Sequence, residues 1–424
     1  MIPAYHLLKG HPMTTRIAKA SPALLLVAIF LISLNLRPAV AAIGPLVSQI
    51  LGDTGVNSTI IGFLTMIPVF LMGIGAIYVR QLRAALGERG GITLGALIIA
   101  LSCAARMWLP TGAGLLVTAA GAGIGIAVVQ SLMPGFAKRN FGAATGRVIG
   151  LYSTGIVAGA CIAAGTAAGL ASSLDWTGTL AAWGLPAVLA VLIWAMAARN
   201  ADSERTAPAP AAGTTPPQFW RSARCWSLML FFGVGTGAFM LVMAWIPPFY
   251  LEQGQDQGTA GLLLSVLTVI EAATALGVAA FIHHFPDRRG PLVLALILTA
   301  LGFGVLYISP IDMSFLAMAL LGVGIGILFP LSIIVAIDHV DDPTTAGNFT
   351  SFVQGGGYIL ASFVPLSAGA VRDAMSDLSN VWLVMAAGSL LMIFLAVRYS
   401  PESYKRFSTM LRSVSLDRGL RAAG

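Results

Sequence analysis

The feature that most constrains this chain is a series of long apolar runs that continues from one end to the other. A helix needs about 20 apolar residues to cross the hydrocarbon core of a bilayer. We predict twelve such spans, at residues 22–48, 58–79, 92–109, 113–137, 145–170, 177–198, 225–250, 260–281, 291–309, 313–337, 347–370 and 378–398. The sequence therefore predicts an all-α polytopic membrane protein with twelve transmembrane helices.

The composition supports this class and excludes others. Charged residues make up 10% of the 424-residue sequence and hydrophobic residues 57%, whereas a soluble domain carries roughly 25% charged residues. A soluble fold of this length could not cover its surface with so few charged side chains. A cytosolic enzyme, a nucleic-acid-binding protein and a disordered protein are therefore excluded.

One connection is much longer than the others and divides the spans into two sets of six. Residues 199–224 are rich in Pro, Ala, Thr and charge, which is the composition of a linker. We predict the following order: a cytoplasmic N-terminal segment (1–21), a six-helix bundle (22–198), a cytoplasmic linker (199–224), a second six-helix bundle (225–398) and a cytoplasmic tail (399–424).

The two halves resemble each other. The run GAGIGI at 121–126 recurs as GVGIGI at 322–327, an offset of 201, and the basic turn GERGG at 87–91 has a counterpart in PDRRG at 286–290. Glycines at this spacing let helices approach closely in hydrocarbon. Two pseudo-symmetric six-helix bundles are a transporter architecture, with the substrate site between the halves near the midplane.

The basic residues predict the orientation. With the N-terminus in the cytoplasm, 21 of the 24 Lys and Arg residues lie on the cytoplasmic side. Arg106 and Arg372 lie on the outer side, and Arg37 lies within the first span. Basic residues favour the cytoplasmic side of a membrane protein, so both termini are predicted to be cytoplasmic.

Arg37, near the middle of span 1, is the leading candidate for substrate binding. A charge at the bilayer centre costs about 2.5–3.5 kcal/mol on insertion scales, so its retention indicates a partner. That partner is either an anionic or strongly dipolar substrate or, alternatively, the carboxylate of Glu271 in a permanent salt bridge. Pro38 follows Arg37 and breaks the hydrogen-bond ladder of the helix, which can expose backbone groups.

Other polar and aromatic residues of the spans complete the predicted site. Glu271, at the centre of span 8, is predicted to couple transport to a proton, the alternative being a role in helix packing. The further candidates for substrate contact are Asn35, Gln130, Tyr152, Trp245, Gln354 and Tyr358. In the turn after span 8, Asp287, Arg288 and Arg289 form either a latch at the cytoplasmic gate or simple positive-inside anchors.

The remaining motifs point away from catalysis. The sequence shows no metal-ligand spacing, no nucleophile–base set and no phosphate-binding loop. We therefore expect no enzymatic activity, no cofactor and no metal, and a gradient as the driving force. The expected partners are a small-molecule solute, the lipid bilayer and a coupling proton; nucleic acid is excluded, and a monomer is expected.

Taken together, these residues resemble a known family. Twelve spans in two halves, a Pro-rich linker and DRRG after span 8 resemble the major facilitator superfamily. Within it, NLRPAVAAIGPL at 35–46, VVQSLMP at 128–134, AWIPPFYLE at 244–252 and SFVQGGGYI at 351–359 resemble the bacterial cyanate and 2-nitroimidazole transporters. One departure is the turn at 87–91, which lacks the usual Asp and has Glu88 as its nearest acid.

The resemblance implies a secondary transporter of the inner membrane that works by alternating access. The leading hypothesis is uptake of a small anionic or polar solute, such as cyanate or a small organic acid, bound by Arg37. Efflux of a drug-like heterocycle such as a 2-nitroimidazole is the second hypothesis, and a membrane sensor that does not transport is the third.

Overall fold

The computed structural model describes residues 22–141, 144–199, 219–340, 343–375 and 377–410. The predicted N-terminal segment 1–21, residues 200–218 of the linker and residues 411–424 of the tail lie outside the described residues.

The first half is built from helices that make spans 1 to 6. Its helices are Pro22–Leu34, Pro38–Ala41 and Ile43–Thr54 (span 1), Ser58–Ile77 (span 2), Val79–Leu86, Glu88–Ala105 (span 3), Gly112–Phe141 (span 4), Thr145–Ala182 and Gly184–Ala197. The helix Thr145–Ala182 turns at Asp175, where φ is 57°. Span 5 precedes this turn, and span 6 consists of the remainder of that helix together with Gly184–Ala197.

The second half contains spans 7 to 12. Its helices are Ala223–Glu252 (span 7), Gln257–Phe281 (span 8), Arg289–Ile308 (span 9), Ser314–Asp338 (span 10), Pro343–Met375 (span 11) and Ser379–Ala396 (span 12). A further helix covers residues 401–410.

The lengths of these helices agree with twelve membrane spans. Ten continuous segments of the described chain are long and apolar enough to cross a membrane. One of them, Arg147–Ala197, has 51 residues and contains both span 5 and span 6, because the chain turns at Asp175. Span 11, with 33 residues, is the twelfth. The prediction of an all-α protein with twelve transmembrane helices is confirmed.

The two halves repeat one packing pattern. In the first half span 4 packs against spans 2 and 3, and span 3 against span 6; in the second half span 10 packs against spans 8 and 9, and span 9 against span 12. Contacts between the halves join span 2 to span 11, span 5 to span 8 and span 1 to span 7. Both halves therefore contribute helices to the central region.

The offset between the halves differs from the one predicted. Ala127 of span 4 packs against Gly75 of span 2, and Gly326 of span 10 packs against Thr274 of span 8. Both members of the second pair lie 199 residues after their counterparts in the first. The offset of 201 between the glycine runs is therefore wrong, because a shift of two residues turns a helix by more than half a revolution.

Two predicted boundaries also differ. Span 1 is not one helix but three, with breaks after Leu34 and Ala41. Span 3 begins at Glu88 rather than at residue 92. Gly87, at φ 65°, ends the preceding short helix, and the acidic Glu88 is favourable in the first turn of the next one because of the helix dipole.

Candidate functional site

The break in span 1 is where the candidate site begins. Residues 35–37 separate the helices Pro22–Leu34 and Pro38–Ala41. Pro38 has no N–H to donate to the carbonyl one turn earlier. The amides of Asn35 and Leu36 instead donate to Ile32 and Ser33, at 3.2 and 3.1 Å, which tightens the end of the first helix. The predicted effect of Pro38 is therefore present in the structure.

Arg37 lies at this break and is 6% exposed. Its guanidinium carbon lies 5.9 Å from the ring centroid of Phe239 in span 7. Tyr358, Glu271 and Tyr152 are near enough to interact with it electrostatically. These residues come from spans 11, 8 and 5, so the break brings side chains of both halves together around one cation.

Glu271 and Arg37 do not form an ion pair in the described part of the chain. Glu271 is 7% exposed, and within the described ranges its Oε2 has no hydrogen-bond partner. Its backbone packs against Gly326 of span 10. The site therefore contains a buried cation and a buried carboxyl group that influence each other without direct contact.

The other predicted contact residues divide into two groups. The hydroxyl of Tyr152 and Oε1 of Gln130 are buried, and no group in the described part of the chain forms a hydrogen bond with either. Tyr358 is buried, with its ring edge-to-face on Phe232 at 5.1 Å, and Gln354 of span 11 is half-buried. Tyr152 and Tyr358 lie beside Arg37, and the two glutamines lie on lining spans of opposite halves.

Trp245 and Asn35 are engaged in helix packing. Trp245 is fully buried and donates its Nε1–H to the carbonyl of Pro365 in span 11 at 2.9 Å. Asn35 donates through Nδ2 to the carbonyls of Leu31 and Pro186, at 2.8 and 3.3 Å. The structure does not bring Trp245 into the group around Arg37. The Nδ2 group of Asn35 ties span 1 to span 6, while its buried Oδ1 has no hydrogen-bond partner among the described residues.

Arg106 is a buried cation whose position the sequence did not reveal. The charge count placed it at the outer side, but it is 1% exposed. Its Nη1 donates to the carbonyl of Ala39 at 2.8 Å, and its Nε donates to Thr118 Oγ1 at 3.4 Å. Arg106 therefore supports the short helix that follows the break. Only its closeness to the apolar part of span 3 could have indicated burial.

The turn after span 8 is held by two ion pairs. Arg288 donates through Nε to Asp338 at 2.9 Å and through Nη1 to the carbonyl of Ile282 at 2.7 Å. Arg289 pairs with Asp287 at 2.6 Å, and the hydrogen bonds from Arg289 lower the pKa of Asp287. Arg288 thus reaches both a helix-end carbonyl and a carboxylate, and all these contacts stay within the second half.

The first half has a related cluster with the charges exchanged. Glu88, whose side chain is 0% exposed, lies 3.1 Å from Arg139 and 3.3 Å from Arg83. Arg139 and Asp338 are 199 residues apart and lie in the last turns of spans 4 and 10, and their partners Glu88 and Arg288 are 200 residues apart. The repeat therefore preserves the ion pair but reverses its polarity. Sequence reasoning missed Arg139 as the partner of Glu88 and Asp338 as the partner of Arg288.

The end of the bundle with Arg83, Arg139 and Arg288 is called the basic end here, and the other the far end. At the far end, Asp373 of span 11 accepts from the amides of Ser58 and Thr59, which begin span 2, at 2.8 and 2.7 Å. Arg372 donates to Ser58 Oγ at 2.6 Å and pairs with Glu252. These contacts join the two halves and close the far end.

A second polar contact joins the halves at the far end. Gln257, which begins span 8, donates to the carbonyl of Pro45 at 2.8 Å and accepts from Gln49 at 3.2 Å. Both partners lie in the last helix of span 1. The side of span 1 beyond the break is therefore fixed to the second half.

Comparison with known proteins agrees with this architecture. The family model described as Major Facilitator Superfamily matches residues 24–365 and, in a second overlapping match, 254–414. The fold is similar to that of a D-xylose–proton symporter, with a TM-score of 0.74 and 12% identity over 90% of this chain and 98% of that one.

Two curated proteins of Escherichia coli K12 are similar in sequence. The cyanate transport protein CynX is 33% identical over 383 residues, which is 90% of this chain and 98% of CynX. A 2-nitroimidazole transporter is 26% identical over 380 residues, which is 89% of this chain and 96% of that protein. The resemblance to the cyanate and 2-nitroimidazole transporters is confirmed.

Proposed function

The chain belongs to the major facilitator superfamily of membrane transporters, and from this premise we propose that it is a secondary active transporter of a small anionic solute. Cyanate or a small organic acid is the class of substrate that we infer. The protein moves this solute across the bacterial inner membrane by alternating access, with both termini in the cytoplasm.

The observation that carries this proposal is the environment of Arg37. Its guanidinium is buried at a helix break, and within the described residues no carboxylate pairs with it. A buried charge without a partner is costly, and an anionic solute supplies the missing partner. The hydroxyls of Tyr152 and Tyr358 beside it are further donors for the same anion.

Glu271 is the proton-coupling group in this proposal. Arg37 is the charged group that acts on it electrostatically. When an anion pairs with Arg37, the carboxylate of Glu271 loses the benefit of that positive charge, and a proton takes its place. Binding of the solute and of a proton then favour each other, which is the requirement for uptake driven by a proton gradient.

Closure of the far end is consistent with the inward-facing state of such a cycle. The contacts of Asp373 with Ser58 and of Gln257 with Pro45 must break before the site can open at that end. In this proposal the basic end faces the cytoplasm, as the distribution of Lys and Arg predicts, and Asp287, Arg288 and Arg289 lie at its gate. Because their ion pairs remain within one half, we propose that they stiffen the gate instead of bridging it.

A second candidate function is efflux of a planar heterocycle. The aromatic rings of Tyr152, Tyr358 and Phe239 surround Arg37, and a flat aromatic ligand can stack on such rings. The 26% identity to a 2-nitroimidazole transporter favours the same reading. A heterocycle bound in its neutral form would use the rings more than the guanidinium.

A thermal-shift screen of purified protein separates the two candidates. Ligands that bind only the folded state raise its unfolding temperature. Cyanate, formate and acetate are compared with 2-nitroimidazole, each in wild type and in Arg37→Ala. The proposal predicts a rise with at least one anion that is lost in the variant. A rise with 2-nitroimidazole alone, equal in both proteins, would establish the second function in its place.

A further inference from the structure

Packing between the halves identifies the residue that corresponds to Arg37. The offset of 199, set by the pairs Gly75–Ala127 and Thr274–Gly326, also relates Gly44 of span 1 to Met243 of span 7. These two residues contact each other across the interface, as equivalent positions close to a pseudo-twofold axis do. The same offset relates Arg37 to Thr236 of span 7.

The face of span 7 that carries Thr236 is turned toward span 1. Thr236, Phe239 and Met243 follow the spacing i, i+3 and i+7, which places them on one side of a helix. The ring of Phe239 lies beside the Arg37 guanidinium, and the backbone of Met243 contacts Gly44. The Thr236 side chain therefore approaches the break in span 1 from the opposite half.

The hydroxyl of Thr236 is in an unusual state. Thr236 is 2% exposed, and its Oγ1 has no hydrogen-bond partner among the described residues. The equally buried threonines Thr268 and Thr299 instead donate to carbonyls of their own helices, at 2.9 and 2.8 Å. A buried hydroxyl without a partner loses its hydration without compensation, so a ligand is the natural partner for Thr236.

We propose that the Thr236 hydroxyl is a substrate-binding group that hydrogen-bonds the anion held by Arg37. This inference rests on the proposed function and extends it, because it assigns the polar contact that span 7 makes. The substrate is then an anion with at least two acceptor atoms, one for Arg37 and one for the Thr236 hydroxyl across the pseudo-twofold axis. Cyanate and carboxylates have such atoms. Binding it links span 1 and span 7, one of the three pairs of spans that join the halves.

The test uses Thr236→Val, which replaces the hydroxyl by a methyl group of similar size, and Thr236→Ser, which keeps the hydroxyl. Thr299→Val is the matched control, since that hydroxyl is equally buried but already bonded. Cyanate binding is measured by isothermal titration calorimetry, and the unfolding temperature is measured without ligand. We expect Thr236→Val to weaken cyanate binding about three- to tenfold, and Thr236→Ser and Thr299→Val to bind nearly as wild type does.

The unfolding temperature gives a readout that needs no ligand. Thr236→Val should raise it, because the unpaired hydroxyl is removed, whereas Thr299→Val should lower it. Wild-type affinity in Thr236→Val, or a lowered unfolding temperature, would overturn the inference. If wild type binds none of the anions, the proposed function fails, and the unfolding temperature of Thr236→Val still decides whether its hydroxyl is unpaired.

Discussion

Span 1 and span 7 occupy equivalent positions in the two halves, yet they are built differently. Span 1 is interrupted at residues 35–37 and continues as two further helices, whereas span 7 is one helix from Ala223 to Glu252. Both contain prolines. Pro38 follows the buried Arg37 near the middle of span 1, while Pro247 and Pro248 lie in the last turns of span 7.

The prolines have different consequences because of what surrounds them. Pro247 and Pro248 cannot donate to the carbonyls of Met243 and Ala244. Those two oxygens face Gly44 of span 1, and a side chain at Gly44 would collide with the Met243 carbonyl. In span 7 the prolines therefore create a close contact between the halves. In span 1 the proline creates a break that presents a cation to the centre.

This difference teaches how a repeated fold acquires a site that is not symmetric. In the proposed site, one half contributes the cation Arg37 and the interrupted helix, and the other contributes Phe239, Glu271 and the Thr236 hydroxyl. A substrate held between them contacts unlike groups on its two sides. The substrate then binds in one preferred orientation, which two identical halves could not impose.

The largest expected effect comes from removing the charge that distinguishes span 1. Arg37→Ala should abolish anion binding, because the site then contains the Glu271 carboxyl group and no cation. Arg37→Lys should restore binding poorly, since a point charge cannot copy the planar guanidinium fork. Equilibrium binding of cyanate measures both variants. Binding by Arg37→Ala at the wild-type level would show that this residue does not contact the substrate. The proposed functional difference between spans 1 and 7 would then be wrong.

The next variant alters only the charge that the second half contributes. Glu271→Gln should still bind and exchange the solute, because Arg37 is intact, but it should lose accumulation driven by a pH gradient. Uptake and counterflow in proteoliposomes measure the two properties separately. Undiminished accumulation in Glu271→Gln would show that the carboxyl group has a packing role against span 10.

A third variant tests whether the break in span 1 is stabilised by a buried side chain, which the continuous helix of span 7 does not need. Arg106→Gln removes the cation that donates to the Ala39 carbonyl. A hydrogen bond from a charged group contributes about 1.5–3 kcal/mol, so we expect about tenfold weaker anion binding. Arg106→Lys should be intermediate, because an ammonium cannot reach Ala39 and Thr118 together. The apparent Kd from thermal shifts gives the measurement, and an unchanged Kd in Arg106→Gln would mean that the break is stable without it.

The smallest effects should come from the two glutamines, one from each half. Gln130→Ala and Gln354→Ala should each weaken binding by about 0.5–1.5 kcal/mol if the substrate bridges spans 4 and 11. The double variant should then be non-additive, because the remaining glutamine can no longer bridge. A double-mutant cycle on equilibrium binding provides the test. Strict additivity would place each glutamine in the packing of its own bundle.

The fold and the central charges could be predicted from sequence because they follow from chemistry along the chain. Long apolar runs predict spans, and Pro38 beside Arg37 predicts an interrupted helix with a buried charge. Glu271 is recognisable because a carboxyl group is rare at mid-span. Each of these signals is visible at its own position and needs no knowledge of which helices are neighbours.

The features that could not be predicted from the sequence depend on which helices pack against each other. Trp245 resembles a cavity residue in sequence, but its partner, the Pro365 carbonyl, lies 120 residues away. In the sequence Arg106 resembles a cation of an exposed loop. Its burial follows from its contact with Ala39 of span 1, which only the structure shows. The offset of 201 was wrong because it maximises the sequence similarity of the two glycine runs. Structural equivalence depends instead on the helix face on which each glycine lies.

The central claim is that an anion binds at the break in span 1. Hydrogen–deuterium exchange with and without saturating cyanate tests it most directly. The account predicts that the ligand slows exchange in peptides covering residues 34–43, and that Arg37→Ala loses this protection. Peptides covering residues 233–243 of continuous span 7 should exchange slowly in either state. Protection elsewhere in the chain with residues 34–43 unchanged, or protection that survives in Arg37→Ala, would contradict the account.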